Sequence, residues 1–292
     1  MIFKISMIII LCCIVILVGC IYVKRYHSKG TYRIHQLLKL KKEYATQVNK
    51  PKRLIIGGSD VLYCFNTDRI SEKTGIPTVN FGINVGLGIG FLLEEAFPLL
   101  TKGDDVILCL AYSLYSNPAH YLFAHDFYRM YAPYKLTQFT WSQHLIYTSR
   151  NIQLNMGYKQ KSFHLSKSGA YVNVKGSHLP EGKYKPLVFS SHFSQTEAVR
   201  ELDEFVQKCA EKKIRVRITY PSTLFFSEYK DSDYLTELDT YLRKHYEVIG
   251  KPLDYMVPRE SIFNSVYHVN EVGQDDRTQR FIKEIKEEQY HV

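Results

Sequence analysis

The stretch Arg53-Leu54-Ile55-Ile56-Gly57-Gly58-Ser59-Asp60 decides the fold that the sequence predicts. It begins as a short apolar run and ends in a turn of small residues. Apolar runs bounded by glycine are typical of strands buried inside a sheet, and small residues let the chain turn sharply after the strand. The stretch therefore predicts a strand that presents the Ser59 hydroxyl at the edge of a sheet.

Outward from this stretch, short apolar segments alternate with amphipathic ones. Further strands are predicted at 77–81, 105–111, 214–220 and 253–257, and helices at 91–100, 196–213, 234–246 and 274–289. Strands that alternate with helices predict an α/β fold in which a parallel sheet carries helices on both faces. Active sites of such folds lie outside the carboxyl ends of the strands, which is where Ser59 is placed.

Residues 113–190 interrupt this alternation and carry many aromatic side chains. We interpret them as an insertion that covers one end of the sheet. The aromatic rings of 112–134 could form stacking platforms for sugars, and the alternative is that they pack on one another.

Most of the positive charge lies at the N-terminal end of the chain. The 292 residues carry a formal net charge of +9, and residues 1–50 hold nine Lys and Arg residues against one acid, Glu43. The remaining residues are therefore nearly neutral. A pI near 9.0 would usually indicate a nucleic-acid partner, but the basic residues belong to the N-terminal end and not to the body, which argues against such a partner.

The apolar run 5–23 contains no charged residue. About 20 apolar residues span a bilayer as a helix, so residues 1–24 predict an N-terminal transmembrane anchor. A basic juxtamembrane helix or linker follows at 25–50, and 51–292 form the α/β domain. Alternatively, Leu17-Val18-Gly19-Cys20 resembles a bacterial lipobox, which would make Cys20 a lipidated N-terminus after cleavage.

The linker has two further properties. Four of its residues are spaced to share one face of a helix, namely Ile34, Leu37, Leu38 and Lys41. Its many basic residues favour a cytoplasmic body by the positive-inside rule.

No cofactor and no metal site are predicted. The body contains three cysteines, Cys64, Cys109 and Cys209, without the spacing of metal ligands, and we interpret them as buried thiols.

Ser59 and His268 form the candidate catalytic pair. A serine hydroxyl at a sharp turn after a strand is suited to nucleophilic attack once a base activates it. His268 precedes the last predicted helix, from where it can reach the end of the first strand. A serine after a strand or a histidine before a helix is common in proteins that have no catalytic site. The two together, with the serine after the first strand and the histidine before the last helix, are a rarer combination.

Three blocks, 57–59, 80–88 and 267–273, resemble the SGNH/GDSL hydrolase superfamily. The resemblance is to its membrane-anchored members tied to cell-envelope polysaccharides, including the D-alanyl-transfer proteins of teichoic acid and the alginate-acetylation proteins. It implies a three-layer α/β/α, flavodoxin-like fold and ester chemistry, with Ser59 as nucleophile and His268 as base.

The resemblance also implies an oxyanion site. Its donors would be the backbone of Ser59 and of Gly82 or Gly86. The family further uses an Asn after the third strand, and Asn84 or Asn117 is the candidate for that role here.

The sequence departs from the family where an Asp usually precedes the His. Asn264 stands four residues before His268, and Ser265 stands three before it. An Asn can orient an imidazole but cannot stabilise the imidazolium by charge. Asp254 is an alternative acid from the preceding predicted strand.

The sequence therefore leaves two functions open. One is a membrane-anchored serine esterase or O-acyltransferase acting on envelope polysaccharide, with a glycan substrate and a membrane-bound O-acyltransferase as partner. The other is a catalytically degenerate binding or scaffold protein in a polysaccharide-modification complex. The resemblance places the body outside the cytoplasm, against the charge rule.

Overall fold

The computed structural model describes residues 2–48, 51–159 and 164–290, except for the side chains of 2, 3, 20, 23–25 and 288–290. The helices are α1 (Ile2–Arg25), α2 (Lys29–Gln47), α3 (Ser59–Cys64), α4 (Thr67–Thr74), α5 (Ile89–Ala96), α6 (Leu122–Tyr131), α7 (Trp141–Met156), α8 (Glu197–Glu211), α9 (Asp233–His245) and α10 (Glu271–Tyr290). The strands are β1 (Arg53–Gly57), β2 (Thr78–Gly82), β3 (Asp105–Cys109), β4 (Arg215–Thr219), β5 (Thr223–Leu224), β6 (Glu247–Ile249), β7 (Met256–Val257), β8 (Ile262–Ser265) and β9 (His268–Val269).

Five strands form a parallel sheet in the order β2-β1-β3-β4-β6. The predicted α/β class with a parallel sheet and flanking helices is confirmed. From β1 the chain adds β2 on one side of the sheet and then β3, β4 and β6 on the other, so the strand order switches between β1 and β3. Ligands of such sheets bind at this switch point, outside the carboxyl ends of the strands. Ser59 directly follows β1, so it lies at the switch point.

The prediction of the fifth strand was wrong. Residues 247–249 form the edge strand β6, whereas 252–255 form a 3-10 helix and β7 pairs with β5 outside the main sheet. Pro252 occupies the first turn of this 3-10 helix, where its missing N–H costs no hydrogen bond. Asp254 accepts a hydrogen bond from the Lys251 N–H (3.0 Å), which completes the cap. Local capping chemistry thus outweighed the apolar pattern.

The chain divides into two compact units. Unit 1 comprises Met1–His35 and Leu122–Gln160, and unit 2 comprises Gln36–Tyr121 and Lys161–Val292. The predicted boundaries at 24/25 and 50/51 do not coincide with this division. The segment 113–190 is not one piece either, because its middle part belongs with the N-terminal segment in unit 1.

Four of the eight Tyr and Phe residues of 112–134 are buried within their own units. Tyr112 and Tyr115 are buried in unit 2, and Phe127 and Tyr128 are buried in unit 1. A buried ring has no free face for a sugar, so packing rather than a sugar platform accounts for these four residues.

The core of unit 2 places apolar side chains of β1 and β3 against the helices that carry the site. Ile55 and Ile107 belong to one buried cluster with Phe65, which follows α3, and Phe281 of α10. Cys64, Cys109 and Cys209 are free and buried, which confirms the prediction for these thiols.

Helix α1 covers the run predicted as an anchor. In the described part of the chain, no helix reaches the length and hydropathy that a bilayer crossing needs. Cys20, the residue of the lipobox alternative, lies outside the described side chains. The transmembrane anchor therefore remains a prediction from the sequence.

Candidate active site

The turn after β1 is built from two residues that cannot carry a side chain. A Cβ at Gly57 would clash with the carbonyl oxygen of Cys109, and a Cβ at Gly58 would clash with the side chain of Val85. With both positions occupied by glycine, β1 passes directly into α3, whose first residue is Ser59. The Ser59 hydroxyl is thereby held at the N-terminus of a helix and at the carboxyl edge of the sheet.

The hairpin of β8 and β9 supplies the other two side chains. The strands are antiparallel, with Ser265 opposite His268 and an irregular register between them and the next pair. His268 Nε2 lies 2.9 Å from Ser59 Oγ, and His268 Nδ1 lies 2.7 Å from Asn264 Oδ1. The structure therefore brings together the three predicted residues, with His268 on strand β9.

These hydrogen bonds define the protonation pattern of the imidazole. The amide oxygen of Asn264 can only accept, so Nδ1 of His268 carries the proton and donates it. Nε2 is then unprotonated and accepts a hydrogen bond from the Ser59 hydroxyl. This tautomer is the one that a general base needs.

Tyr63 is a contact that the sequence analysis missed. Its ring stacks on the His268 imidazole with a centroid distance of 4.1 Å and an interplanar angle of 5°. Tyr171 stacks on Tyr63 in turn, at 4.8 Å. The available signal was spacing, because Tyr63 lies four residues after Ser59 and a helix places such residues on one face.

The imidazole is half-buried. This burial lowers the pKa of His268 to about 4. Asn264, the group that faces Nδ1, is neutral and supplies no charge to oppose that shift. His268 is therefore uncharged at neutral pH and available as a base.

Asp60, directly after the nucleophile, is a second group that the sequence analysis did not single out. It is fully buried, and neither carboxylate oxygen makes a hydrogen bond of ordinary geometry. Burial raises the pKa of Asp60 to about 7, although the nearby N–H groups of Gly58 and Val61 act in the opposite direction. Asp60 therefore titrates close to neutral pH, in the interior of the fold.

The two glycines predicted as oxyanion donors have acceptors within the protein. The Gly82 N–H donates to Asn80 Oδ1 (3.0 Å), and the Gly86 N–H donates to Asn84 Oδ1 (2.8 Å). Buried Lys41 donates to the carbonyl and side-chain oxygens of Asn80 and supports this segment. Both glycine N–H groups are thus already hydrogen-bonded within the protein.

The loop after β2 nevertheless lies against the nucleophile turn. The Ile83 N–H donates to the Gly57 carbonyl (3.1 Å), and a Cβ at Gly58 would come within 3.0 Å of the Val85 nitrogen. Because the Asn84 side-chain oxygen holds Gly86, the amide group of Asn84 is oriented and its N–H bonds point elsewhere. The loop that carries Asn84 and Val85 therefore lies beside the turn that carries Ser59.

The remaining alternatives take other positions. Asp254 is exposed and caps its own 3-10 helix, while the ring nitrogen it would have to meet is bonded to Asn264. Asn117 follows the 3-10 helix Tyr112–Leu114, and its N–H donates to the Ser113 carbonyl (2.9 Å). Of the candidates for the orienting residue, the structure joins Asn264 to His268.

No group of three or more His, Cys, Asp or Glu side chains that could hold a metal ion occurs among the described residues. In unit 1, His125 and His144 form a pair, with Nε2 and Nδ1 2.8 Å apart.

Comparisons with known proteins give little beyond this geometry. No family model and no curated protein matches the chain. The chain is similar to a solved structure from Streptococcus pneumonia, provisionally described as a platelet activating factor. The similarity covers 93 % of this chain and 98 % of that one, at 14 % identity and a TM-score of 0.40.

Proposed function

We propose that unit 2 carries a serine esterase or O-acyltransferase site, with Ser59 as nucleophile, His268 as general base and Asn264 as the residue that orients the imidazole. One observation carries the proposal. His268 Nε2 lies 2.9 Å from Ser59 Oγ, and its other ring nitrogen is fixed by Asn264. A nucleophile bonded to a base that a third group orients is the general signature of this chemistry.

The reaction proceeds in two steps. The Ser59 oxygen attacks the carbonyl carbon of an ester while His268 Nε2 takes its proton. The tetrahedral intermediate collapses, the alkoxide leaves with that proton as an alcohol, and the acyl group remains on Ser59. Water or a sugar hydroxyl then attacks the acyl carbon and gives its proton to His268. His268 passes this proton to the Ser59 oxygen as the acyl–oxygen bond breaks. With water the site is an esterase, and with a sugar hydroxyl it is a transferase.

Asn264 limits the rate of both steps. In serine proteases the acidic member stabilises the imidazolium, and its replacement by Asn costs about 10⁴ in kcat, through the wrong tautomer. Here the Asn264 oxygen selects the correct tautomer, but it supplies no negative charge. We therefore expect a working but slow dyad.

Stabilisation of the oxyanion is assigned to the side-chain amide of Asn84 together with the N–H groups of Ser59 and Val85. The loop that carries Asn84 packs against the nucleophile turn. Such donors contribute most when they already point to the position where negative charge develops. The hydrogen bond that Asn84 Oδ1 accepts from the Gly86 N–H (2.8 Å) restricts the rotation of the Asn84 amide before substrate binds.

The finer parts of the proposal rest on the sequence. They are the envelope polysaccharide as substrate, the membrane anchor, a body outside the cytoplasm and a membrane-bound O-acyltransferase as the source of acyl groups. A reporter fused after residue 292 tests the orientation. Activity of a cytoplasmic reporter would contradict an envelope substrate, while the ester chemistry would be unaffected.

The second candidate function is a binding or scaffold protein that has kept the fold without turnover. Asn264 in place of an acid favours it, and so do the Gly82 and Gly86 N–H groups, which already have protein acceptors.

Labelling with a fluorophosphonate separates the two functions. We expect the wild-type chain to be labelled on Ser59 by mass spectrometry, and Ser59→Ala to lose the label. Ser116→Ala is the matched control, because Ser116 is an exposed serine of the same unit. Absence of any label on the wild type would instead support the scaffold function.

A further inference from the structure

Helix α7 of unit 1 carries an apolar stripe that faces solvent. Trp141, Leu145 and Met156 are 86 %, 72 % and 83 % exposed, and Ile152, between them on the same stripe, is half-buried. Their spacing of four, seven and four residues keeps them on one side of the helix along its whole length. Scattered exposed apolar residues are ordinary, but an aligned row with tryptophan at its end marks an interaction surface.

The opposite side of α7 is already packed. Tyr147 and Asn151 are buried, and the Asn151 side chain donates to the Leu122 carbonyl (2.9 Å). A capping box formed by Thr140 and Gln143 defines the start of the helix. The stripe is therefore held outward by the fold of unit 1 and is not left exposed by a poorly seated helix.

Unit 1 is also the basic part of the molecule. Its segments 1–35 and 122–160 contain nine Lys and Arg residues and one acid, Asp126, which leaves +8 of the whole chain's +9 in this unit. Asp126 is buried and accepts hydrogen bonds from Thr31 (2.6 Å) and Arg129 (2.8 Å). Unit 1 therefore combines an exposed apolar stripe with a surface that has no exposed carboxylate.

Within unit 1, α7 is tied to the end of the N-terminal segment. The Gly30 N–H donates to Asn155 Oδ1 (3.1 Å) near the C-terminus of α7. The side chain of Arg129, on α6, lies over the Tyr22 ring of α1, 5.8 Å from its centroid. The stripe and the apolar side chains of α1 thus belong to one packed unit.

We infer that α7 lies in the headgroup region of an anionic bilayer, with Trp141, Leu145, Ile152 and Met156 directed toward the acyl chains. Interfacial helices combine an apolar face containing aromatic residues with basic surroundings, and anionic lipids strengthen their binding. A second copy of the chain is disfavoured, because two units of charge +8 would repel each other. This surface is independent of the ester chemistry proposed for unit 2.

Trp141 makes the inference measurable, because it is the only tryptophan of the chain. The full chain is reconstituted in vesicles of phosphatidylglycerol and phosphatidylcholine, and Trp141 emission is recorded with and without lipids brominated on the acyl chains. We expect emission at shorter wavelength than that of a hydrated indole, and loss of intensity with the brominated lipids. Because the readout comes from α7, attachment of the chain through any other segment does not imitate it.

Matched variants of α7 provide the control. Leu145→Asp with Met156→Asp should abolish the wavelength shift and the quenching, whereas Ser142→Asp with Gln153→Asp, also exposed on α7 but beside the stripe and adding the same charge, should keep both. Equal thermal unfolding transitions exclude misfolding as the cause.

Three outcomes would overturn the inference. One is Trp141 emission that stays at the wavelength of a hydrated indole in anionic vesicles. Another is an equal signal in phosphatidylcholine alone, which would remove the role of anionic lipid. The third is a shift that depends on protein concentration without lipid, which would indicate contact between copies of the chain.

Discussion

Unit 2 and unit 1 differ in where they place aromatic side chains and in how much net charge they carry. Unit 2 is nearly neutral and stacks Tyr63 on His268 beside the serine hydroxyl. Unit 1 carries almost all of the net charge and exposes Trp141 and Leu145. A proton transfer needs a dry, fixed geometry, whereas a lipid surface needs exposed apolar area and free basic groups. The comparison shows that the charge of the whole chain describes unit 1 and says nothing of the candidate active site.

The sharpest test of the site in unit 2 is Asn264→Asp. A carboxylate at this position would stabilise the imidazolium that forms on His268, so we expect kcat for ester hydrolysis to rise, but by less than the factor of about 10⁴ that the reverse change costs in serine proteases, because Asn264 already selects the correct tautomer. Steady-state hydrolysis of a soluble acetyl ester measures this. Asn264→Ala is the control and should lower the rate, because nothing would then hold Nδ1. An unchanged rate in the Asp variant would contradict the role given to Asn264.

The second largest effect is expected on stability. The pKa of Asp60 is raised from 3.8 to about 7 in the fold. Below pH 3.8 Asp60 is protonated in both the folded and the unfolded state. Between pH 3.8 and 7 the unfolded state releases the proton and the folded state keeps it, so the free energy of unfolding falls by about 4 kcal/mol in all. Asp60→Asn, which resembles the protonated acid, should raise the free energy of unfolding by a few kcal/mol at pH 8.

Denaturant unfolding at two pH values tests this. At pH 3.5 both the folded and the unfolded states of the wild type bind the proton, so the two proteins should differ little there. A variant that is less stable than the wild type at pH 8 but not at pH 3.5 would show that the carboxylate, rather than the acid, is the form that the fold prefers.

The pH dependence of turnover should also distinguish a half-buried His268 from an ordinary histidine. Burial lowers the pKa of His268 to about 4, so the base stays neutral well below its usual range. The acidic limb of kcat/KM is expected near pH 4, because activity is lost as the pH falls through the pKa of the free enzyme. With an ordinary histidine the rate at pH 5 would already be about 30-fold lower than at neutral pH. A limb near pH 6.5 would show that water reaches the imidazole.

Loss of the stacked ring should have a smaller effect. Tyr63→Leu removes the aromatic contact with His268, and such pairs contribute about 0.5–1.5 kcal/mol. We therefore expect kcat/KM to fall by about 2- to 12-fold, with Tyr63→Phe retaining most of the activity. If Tyr63→Leu raises KM alone and leaves kcat unchanged, the ring contacts substrate and does not position the base.

The smallest effect on chemistry is expected from unit 1. Leu145→Asp with Met156→Asp should leave kcat/KM for a soluble ester within about two-fold of the wild type, since surface substitutions usually change little. The same variant should lose the vesicle signal of Trp141. Loss of both properties together would show that the two units do not act separately.

Much of the fold followed from local patterns. The strands at 53–57, 78–82, 105–109 and 215–219 were predicted because apolar runs ended by turn residues are a local signal. The fifth strand was missed because 247–249 has only three residues and begins with Glu247, and only its pairing with β4 makes it a strand. Edge strands take their structure from a neighbour, which no local pattern contains.

Of the candidate site, the sequence by itself determined the serine turn, the histidine and the Asn in place of an acid, because these depend on residue identity. Only the tertiary structure decided that Ser59, His268 and Asn264 meet, that Tyr63 covers the imidazole, and that Gly82 and Gly86 already have acceptors. It also decided that 122–160 belong with the N-terminal segment. The physical reason is range: turns and apolar runs are set by neighbours in sequence, whereas desolvation, pKa shifts and hydrogen-bond partners depend on groups that folding brings from far along the chain.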